Sequence, residues 1–355
     1  MAPVLGQGFI VSSLEQYNYQ VGDATVNLRS YDGFDEIDGF EDVTGLSLSI
    51  NGQSPENIPF DTFYDAFKRG INYDTLNSML AERPINATYT HNLTGSPSGS
   101  VTITAPGIPY ANARPVNPIF TVSGVTGTWV IGPEGEGRFY FDPTTTNSFT
   151  VTMNAYAATT QGSHYAYAAF VSDITNGFES IDAYSSDIVE AGEASPVPNQ
   201  LTFTFTKGLG LDAGDAAPST YGFGAGTRFE IEGEHVNIFG LSDAGLGEGI
   251  AFKAFVYQTV TAFQLVAVAD PLSDFPIATE VEVIHTSSGA NAFTLTWQTT
   301  PADAPVDVYR SGNLVSWGNP VSEINLSGTY TEAIAPGSKG FFVVVPSGSL
   351  YPPPP

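Results

Sequence analysis

Short runs in which apolar and hydroxylated or charged residues alternate recur along the whole chain. Ala24-Thr-Val-Asn-Leu-Arg-Ser30 alternates cleanly, as do Val43–Ile50, Ser100–Ala105, Arg138–Asp142, Ser148–Asn154, Gln200–Thr206 and Phe229–Glu232. A period of two gives an extended strand one wet and one dry face. Gly, Pro, Asn and Asp clusters interrupt these runs about every 8–15 residues, the spacing of sandwiches and barrels. The pattern predicts an all-β protein of jelly-roll or β-sandwich domains. One stretch departs from it. Asp61-Thr-Phe-Tyr-Asp-Ala-Phe-Lys68 places Phe63 and Phe67 four apart behind an N-capping Asp, with Gly70 as a stop, and Tyr73–Glu82 carries Leu76, Met79 and Leu80 at helical spacing. A short helical insertion over about 61–82 is expected, covering a sheet edge or an open sandwich end.

Domain boundaries follow from composition. Residues 1–190 read as an N-terminal β domain with the helical insertion, and 191–275 as a second β region packed with the first. The Pro-rich hinge Ala269–Pro276 precedes a compact module at 278–350, and Tyr351-Pro-Pro-Pro-Pro355 is a polyproline tail.

Residues of that last module resemble a fibronectin-III/Ig-like β-sandwich of the kind appended to secreted bacterial proteins. The resemblance rests on Phe293-Thr-Leu-Thr-Trp297, Val306-Asp-Val-Tyr-Arg-Ser311, Asn313-Leu-Val-Ser-Trp317 and Gly340-Phe-Phe-Val-Val-Val345, and spans about 278–347. Gly312-Asn313 departs from it, where the family has Thr-Asp or similar. The resemblance implies spacing or display, with Trp297 and Trp317 as packing residues, and it carries no catalytic residues. Residues 1–277 match no family pattern.

Composition narrows the chemistry. Eleven Lys and Arg stand against 37 Asp and Glu, for a formal net charge of −26, and there is no Cys. Thiolate metal sites, disulfides and Cys nucleophiles are excluded. A surface this acidic argues against nucleic acid, which needs clustered cations. The longest apolar stretches, such as Phe263–Ala269, are far shorter than the ~20 residues of a membrane-spanning helix. The N-terminal residues lack the basic and apolar segments of a signal peptide, so either none is used or it has been removed.

Among candidate sites, the acidic run Asp32-Gly-Phe-Asp35-Glu36-Ile-Asp38 is first. Looped, Asp32, Asp35, Glu36 and Asp38 would offer oxygens to calcium, the one cofactor in question; extended, Asp32, Glu36 and Asp38 would share a side with Phe34. Asp212 with Asp215, and Asp243 with Glu248, are weaker versions. Glu230, Glu232 and Glu234 alternate on one strand beside His235, either as the wet side of that strand or as carboxylates lining a groove for glycosides. His91, His164, His235 and His285 lie far apart, without zinc-ligand spacing. Tyr165 and Tyr167 form a same-face pair suited to a sugar, another subunit or a core.

Three functions remain. The first is a non-enzymatic subunit of a virion or other extracellular assembly (capsid, decoration or tail-tube type), meeting copies of itself or other assembly proteins through strand edges and aromatic patches. The second is a secreted or cell-surface protein that binds glycans or mediates adhesion. The third is a polysaccharide-active enzyme.

Overall fold

The computed structural model describes residues 8–39, 42–62, 65–156, 164–175, 180–185, 189–190, 200–209, 220–246, 252–276, 278–288, 292–302, 304–312, 317, 319–333 and 340–348. The chain is all-β. Its backbone is one long sheet in which neighbouring strands run in the order Ser180–Ser185, His164–Asp173, Arg228–Asp243, Phe252–Val266, Phe9–Gln20, Val26–Asp38, Ala66–Tyr73 and Phe60–Asp61. We call Phe9–Gln20 the opening strand, Val26–Asp38 the acidic strand, Arg228–Asp243 the glutamate strand and Phe252–Val266 the central strand. The opening strand lies parallel to the central strand and antiparallel to the acidic strand. Beyond the end of the opening strand, Gly137–Phe141 takes up the same edge of the central strand, also parallel, and pairs in turn with Gly127–Ile131.

Strict alternation sends one set of side chains from each long strand to a shared face. Two four-stranded sheets cover that face. Glu56–Ile58, Val43–Ile50, Thr88–Gly95 and Gly99–Thr104 form one; Thr220–Phe223, Leu201–Lys207, Ser148–Met153 and Phe120–Ser123 form the other. The first closes a core of Ile10, Leu14, Ile37, Tyr89, Phe255 and Tyr257. The second closes a core rich in Phe, including Phe120, Phe149, Phe205, Phe229 and Phe263. Phe149 stacks on Phe205 with ring centroids 4.9 Å apart. Residues 200–266 thus pair strand by strand with residues 9–173, and both cores share the long sheet.

The insertion is half helix and half strand. Leu76–Glu82 is helical, with Thr75 and Ser78 forming a reciprocal cap and Met79 buried. The preceding stretch, expected to be helical, is instead the strand Ala66–Tyr73. A helix there would leave the edge of the acidic strand unpaired. As a strand it places Lys68 opposite Glu36 and Arg69 opposite Asp35, so ladder hydrogen bonds and ion pairing outweigh local helical spacing. Gly70, taken from sequence as a helix stop, sits opposite Phe34, where a Cβ would come 2.7 Å from the ring.

The C-terminal module is a sandwich of two three-stranded sheets, Glu280–Ser288, Ala292–Thr300 and Thr329–Ala333 against Ser322–Asn325, Val306–Ser311 and Phe341–Pro346. Leu295, Trp297, Val306, Val308 and Val344 fill it, while Trp317 is only half-buried. Ile324 and Leu326 pack onto a cluster of Val130, Tyr140, Val266 and Phe275, which joins the module to the long sheet. The polyproline tail lies outside the described residues.

Candidate functional site

The second face of the long sheet is left to form an open concavity of about 690 Å³. Sheet twist curls the long strands so that their outward side chains converge. Odd-numbered residues of the opening strand supply Glu15 and Tyr17; the acidic strand supplies Asp32, Phe34 and Glu36; the glutamate strand supplies Glu232 and Glu234; the central strand contributes Gln258 and Val260 between them. Lys68, opposite Glu36, and Arg29, beside Tyr17, also line it.

The site is only partly satisfied internally. The Tyr17 hydroxyl donates to Glu232 Oε2 at 2.6 Å, across the central strand. Ser30 Oγ donates to Asp32 Oδ2 at 2.9 Å. Asp32 Oδ1 is buried and has no hydrogen-bond partner. Glu15 is 5% exposed and makes no side-chain hydrogen bond with the described residues. Lys68 Nζ lies 3.7 Å from Glu36 Oε2 and over the Phe34 ring, and the Arg29 guanidinium stacks on Tyr17 and Tyr19.

Burial is the main cause of the acidity changes here. It raises Glu15 well above the ordinary carboxylate range, reinforced by Glu234, Asp32 and Glu232. Glu234 is pushed up to about 8, by burial and then by Glu232. Glu232 is raised by burial against the opposing hydrogen bond from Tyr17, and Asp32 by burial against that from Ser30. A carboxyl whose folded pKa is raised stabilises the fold below its unfolded value, near ~4.3, and that contribution is lost as pH rises through the folded value. For Glu234 the window is therefore about 4.3 to about 8. Thermal unfolding should report a stability loss of up to about 4 kcal/mol between pH 5 and pH 8.5. Glu234→Gln should flatten that slope; an unchanged slope would show that Glu234 is not the source.

The acidic run is a strand, not a loop. Asp32 and Glu36 face the concavity, as extended geometry requires. Asp35 points to the opposite side, where Arg83 Nη1 and Nη2 donate to it at 2.7 and 2.6 Å and Ser12 Oγ at 2.7 Å. Asp38, at the strand end, accepts from the Gly39 amide. The four carboxylates do not meet, and no three Asp, Glu or His side chains gather on a metal-sized point among the described residues. Tyr167 is buried in the second core, so it offers no interaction surface; the side chain of Tyr165 lies outside the described residues. Asp212, Asp215 and Glu248 also lie outside them, while Asp243 accepts from the Gly245 amide.

Ser12, His91 and Asp35 are neighbours but not a nucleophilic triad. All three have no exposed surface, and Asp35 receives Ser12 and Arg83 rather than orienting the imidazole. His235 is buried, with Nδ1 2.9 Å from the Val116 carbonyl, and burial lowers it to about 4. The residues missed from sequence are Glu15 and Tyr17. Their signal was the odd-numbered series Ser13, Glu15, Tyr17 and Tyr19 in the opening strand.

No family model matches the chain, and no curated protein matches it. Among solved structures it is similar to the FN1–FN3 domains of chicken CNTN1, at 9% identity over 97% of this chain and 96% of that one, with a TM-score of 0.21. It is similar also to the central fibronectin-III array of RIM-binding protein, at 10% identity over 94% and 92%, TM-score 0.15. A tetra-tandem repeat from the extending region of a large adhesion protein matches at 11% identity over 94% and 73%, TM-score 0.15. Scores of this size say nothing about what the chain does. The all-β fold and the two-sheet sandwich at the C-terminus rest on the chain's own strand pairing.

Proposed function

We propose that this chain is a non-catalytic, extracellular or cell-surface protein that holds a carbohydrate in the acidic concavity, with the C-terminal sandwich as a spacer. The observation that carries this reading is unused hydrogen-bonding capacity. Asp32 Oδ1 is a buried acceptor without a donor, and Glu15, 5% exposed, stands opposite Asp32 in the sheet. Leaving such an acceptor unpaired is destabilising by about 1–3 kcal/mol, and sugar hydroxyls are donors of the right kind. Phe34, Val11 and Val260 give the same face apolar patches for the C–H surfaces of sugar rings. An assembly subunit would be better served by a flat apolar face than by this recess lined with carboxylates. The test is a glycan array with the full chain, followed by calorimetry on the strongest binder. Glu15→Gln and Asp32→Asn should each weaken binding about tenfold, near 1.4 kcal/mol. Absence of glycan binding, or full binding by both variants, would refute the reading.

A hydrolytic reading has one observation of its own. Glu234 is held protonated near neutrality, while Glu232, two residues along the same face, accepts from Tyr17. Release of reducing ends by the wild type and not by Glu234→Gln would favour it over simple binding.

A further inference from the structure

We infer that the saccharide taken by the concavity carries amines, and that its ammonium groups lie against Glu15, Asp32 and Glu234. The inference rests on the carbohydrate reading above and specifies its charge. Among the described residues, Glu15, Asp32, Glu36, Asp61, Glu232 and Glu234 line the recess, against Arg29 and Lys68 alone. Arg29 lies over Tyr17 and Tyr19 and Lys68 lies by Glu36 and Phe34. The charge of Lys68 opposes the rise of Glu15, Glu232 and Glu234, and that of Arg29 opposes the rise of Asp32 and Glu232, but burial outweighs both, and Asp32 Oδ1 keeps no hydrogen-bond partner.

The strand register makes the imbalance acute. Glu15 is paired directly opposite Asp32, and both are buried. Like charges at directly opposed sheet positions destabilise the pair, and burial removes the water that would screen them. Glu232 and Glu234 add a second pair of carboxyls on the glutamate strand, where burial and the neighbouring Glu232 keep Glu234 protonated near neutrality, and no side chain from the central strand is charged here, Gln258 being the polar one. A neutral sugar supplies hydroxyl donors but no charge against which these carboxyls could ionise. An anionic glycan would oppose their ionisation further. An ammonium group answers the orphan Asp32 Oδ1 and lets the neighbouring carboxyls ionise through charge-assisted hydrogen bonds. The carboxylates are spread along the face rather than gathered on one point, which suits amines separated along a glycan and not a single metal ion.

Binding of such a ligand should expel protons. At pH 6 sugar amines are charged, while the carboxyls facing the recess from the opening, acidic and glutamate strands are raised by burial. Pairing with ammonium lowers their pKa, so protons leave for the buffer. The experiment is calorimetry of the full chain at pH 6, in two buffers of different ionisation enthalpy, with glucosamine hexamer, N-acetylglucosamine hexamer and spermidine. The expected result is binding of the glucosamine hexamer at least about tenfold tighter than its acetylated counterpart, with proton release, weakened about tenfold by Glu15→Gln or Asp32→Asn. Thermal unfolding checks that these variants fold, and the half-buried Glu234→Gln provides a third variant should either fail. Equal affinity for the two hexamers overturns the inference and leaves the carbohydrate reading standing. Spermidine binding as tightly as the glucosamine hexamer supports the amine chemistry and overturns the carbohydrate reading. No binding by any of the three overturns both.

Discussion

Replacing Asp35 by Ala is expected to destabilise the fold by about 3–5 kcal/mol, because it leaves a buried guanidinium without its anion. Asp35 has no exposed surface and Arg83 is 1% exposed. Arg83 donates through both terminal nitrogens to the carboxylate and also to the Phe34 carbonyl. The chain makes room for it: a Cβ on Gly33 would lie 2.1 Å from Arg83 Cδ. Burial alone would raise the Asp35 pKa, but the charge and hydrogen bonds of Arg83 outweigh it and hold it well below the usual range. A depressed pKa stabilises above the unfolded value, near ~3.9, and that share is lost as pH falls below it. Urea unfolding at pH 7 should show the full loss in Asp35→Ala. Asp35→Leu combined with Arg83→Met should recover most of it, since apolar replacements of a buried pair are often neutral. A single variant as stable as the wild type would mean that the pair contributes nothing.

Gly137→Ala is expected to destabilise by about 3 kcal/mol, the upper end for overpacking, and to lower Tm by about 4 °C. The added Cβ would sit 1.7 Å from the Gln20 carbonyl oxygen and 2.9 Å from Val21 Cα. Both are backbone atoms, which do not swing aside as a flexible side chain would. Gln20 is further fixed by its own side chain, which donates to the Phe120 carbonyl at 2.6 Å and accepts from the Phe120 amide at 2.8 Å. Gly312→Ala is the matched control, since nothing lies within 4 Å of its Cβ position. Calorimetric melting of the two variants side by side gives the difference. Equal melting temperatures would contradict the close approach of these strands.

Period-two reading made the strands legible, and with them the shared face of Asp32, Phe34 and Glu36 and that of Glu230, Glu232 and Glu234. The C-terminal sandwich was legible from its spaced Trp and Tyr residues. What alternation does not encode is which face becomes covered. Tyr167 reads equally well as a ladder or as a core residue, and it is core because a short sheet packs on its side. The glutamates read as a solvated edge, and they line a recess because the long sheet curls. The partner of Glu232 is Tyr17, 215 residues away in sequence, and no local pattern reports a pairing of that span. Ala66–Tyr73 was misread for a related reason. Phe63 and Phe67 mimic a helical turn, and only the distant acidic strand decides otherwise.

The parallel pairing of the opening strand with the central strand also fixes an order of events. Phe9 lies opposite Phe252, so the opening strand waits for residues roughly 240 positions later before its second edge is filled. Until then it has only the acidic strand as a neighbour, and its other row of amides and carbonyls is open to any extended chain. Glu15 and Tyr17 come to face the glutamate strand across the central strand only at that late closure, which makes the recess one of the last features to form. Such long-range closure slows folding, and the dense negative charge of the waiting segments keeps like chains apart while it proceeds.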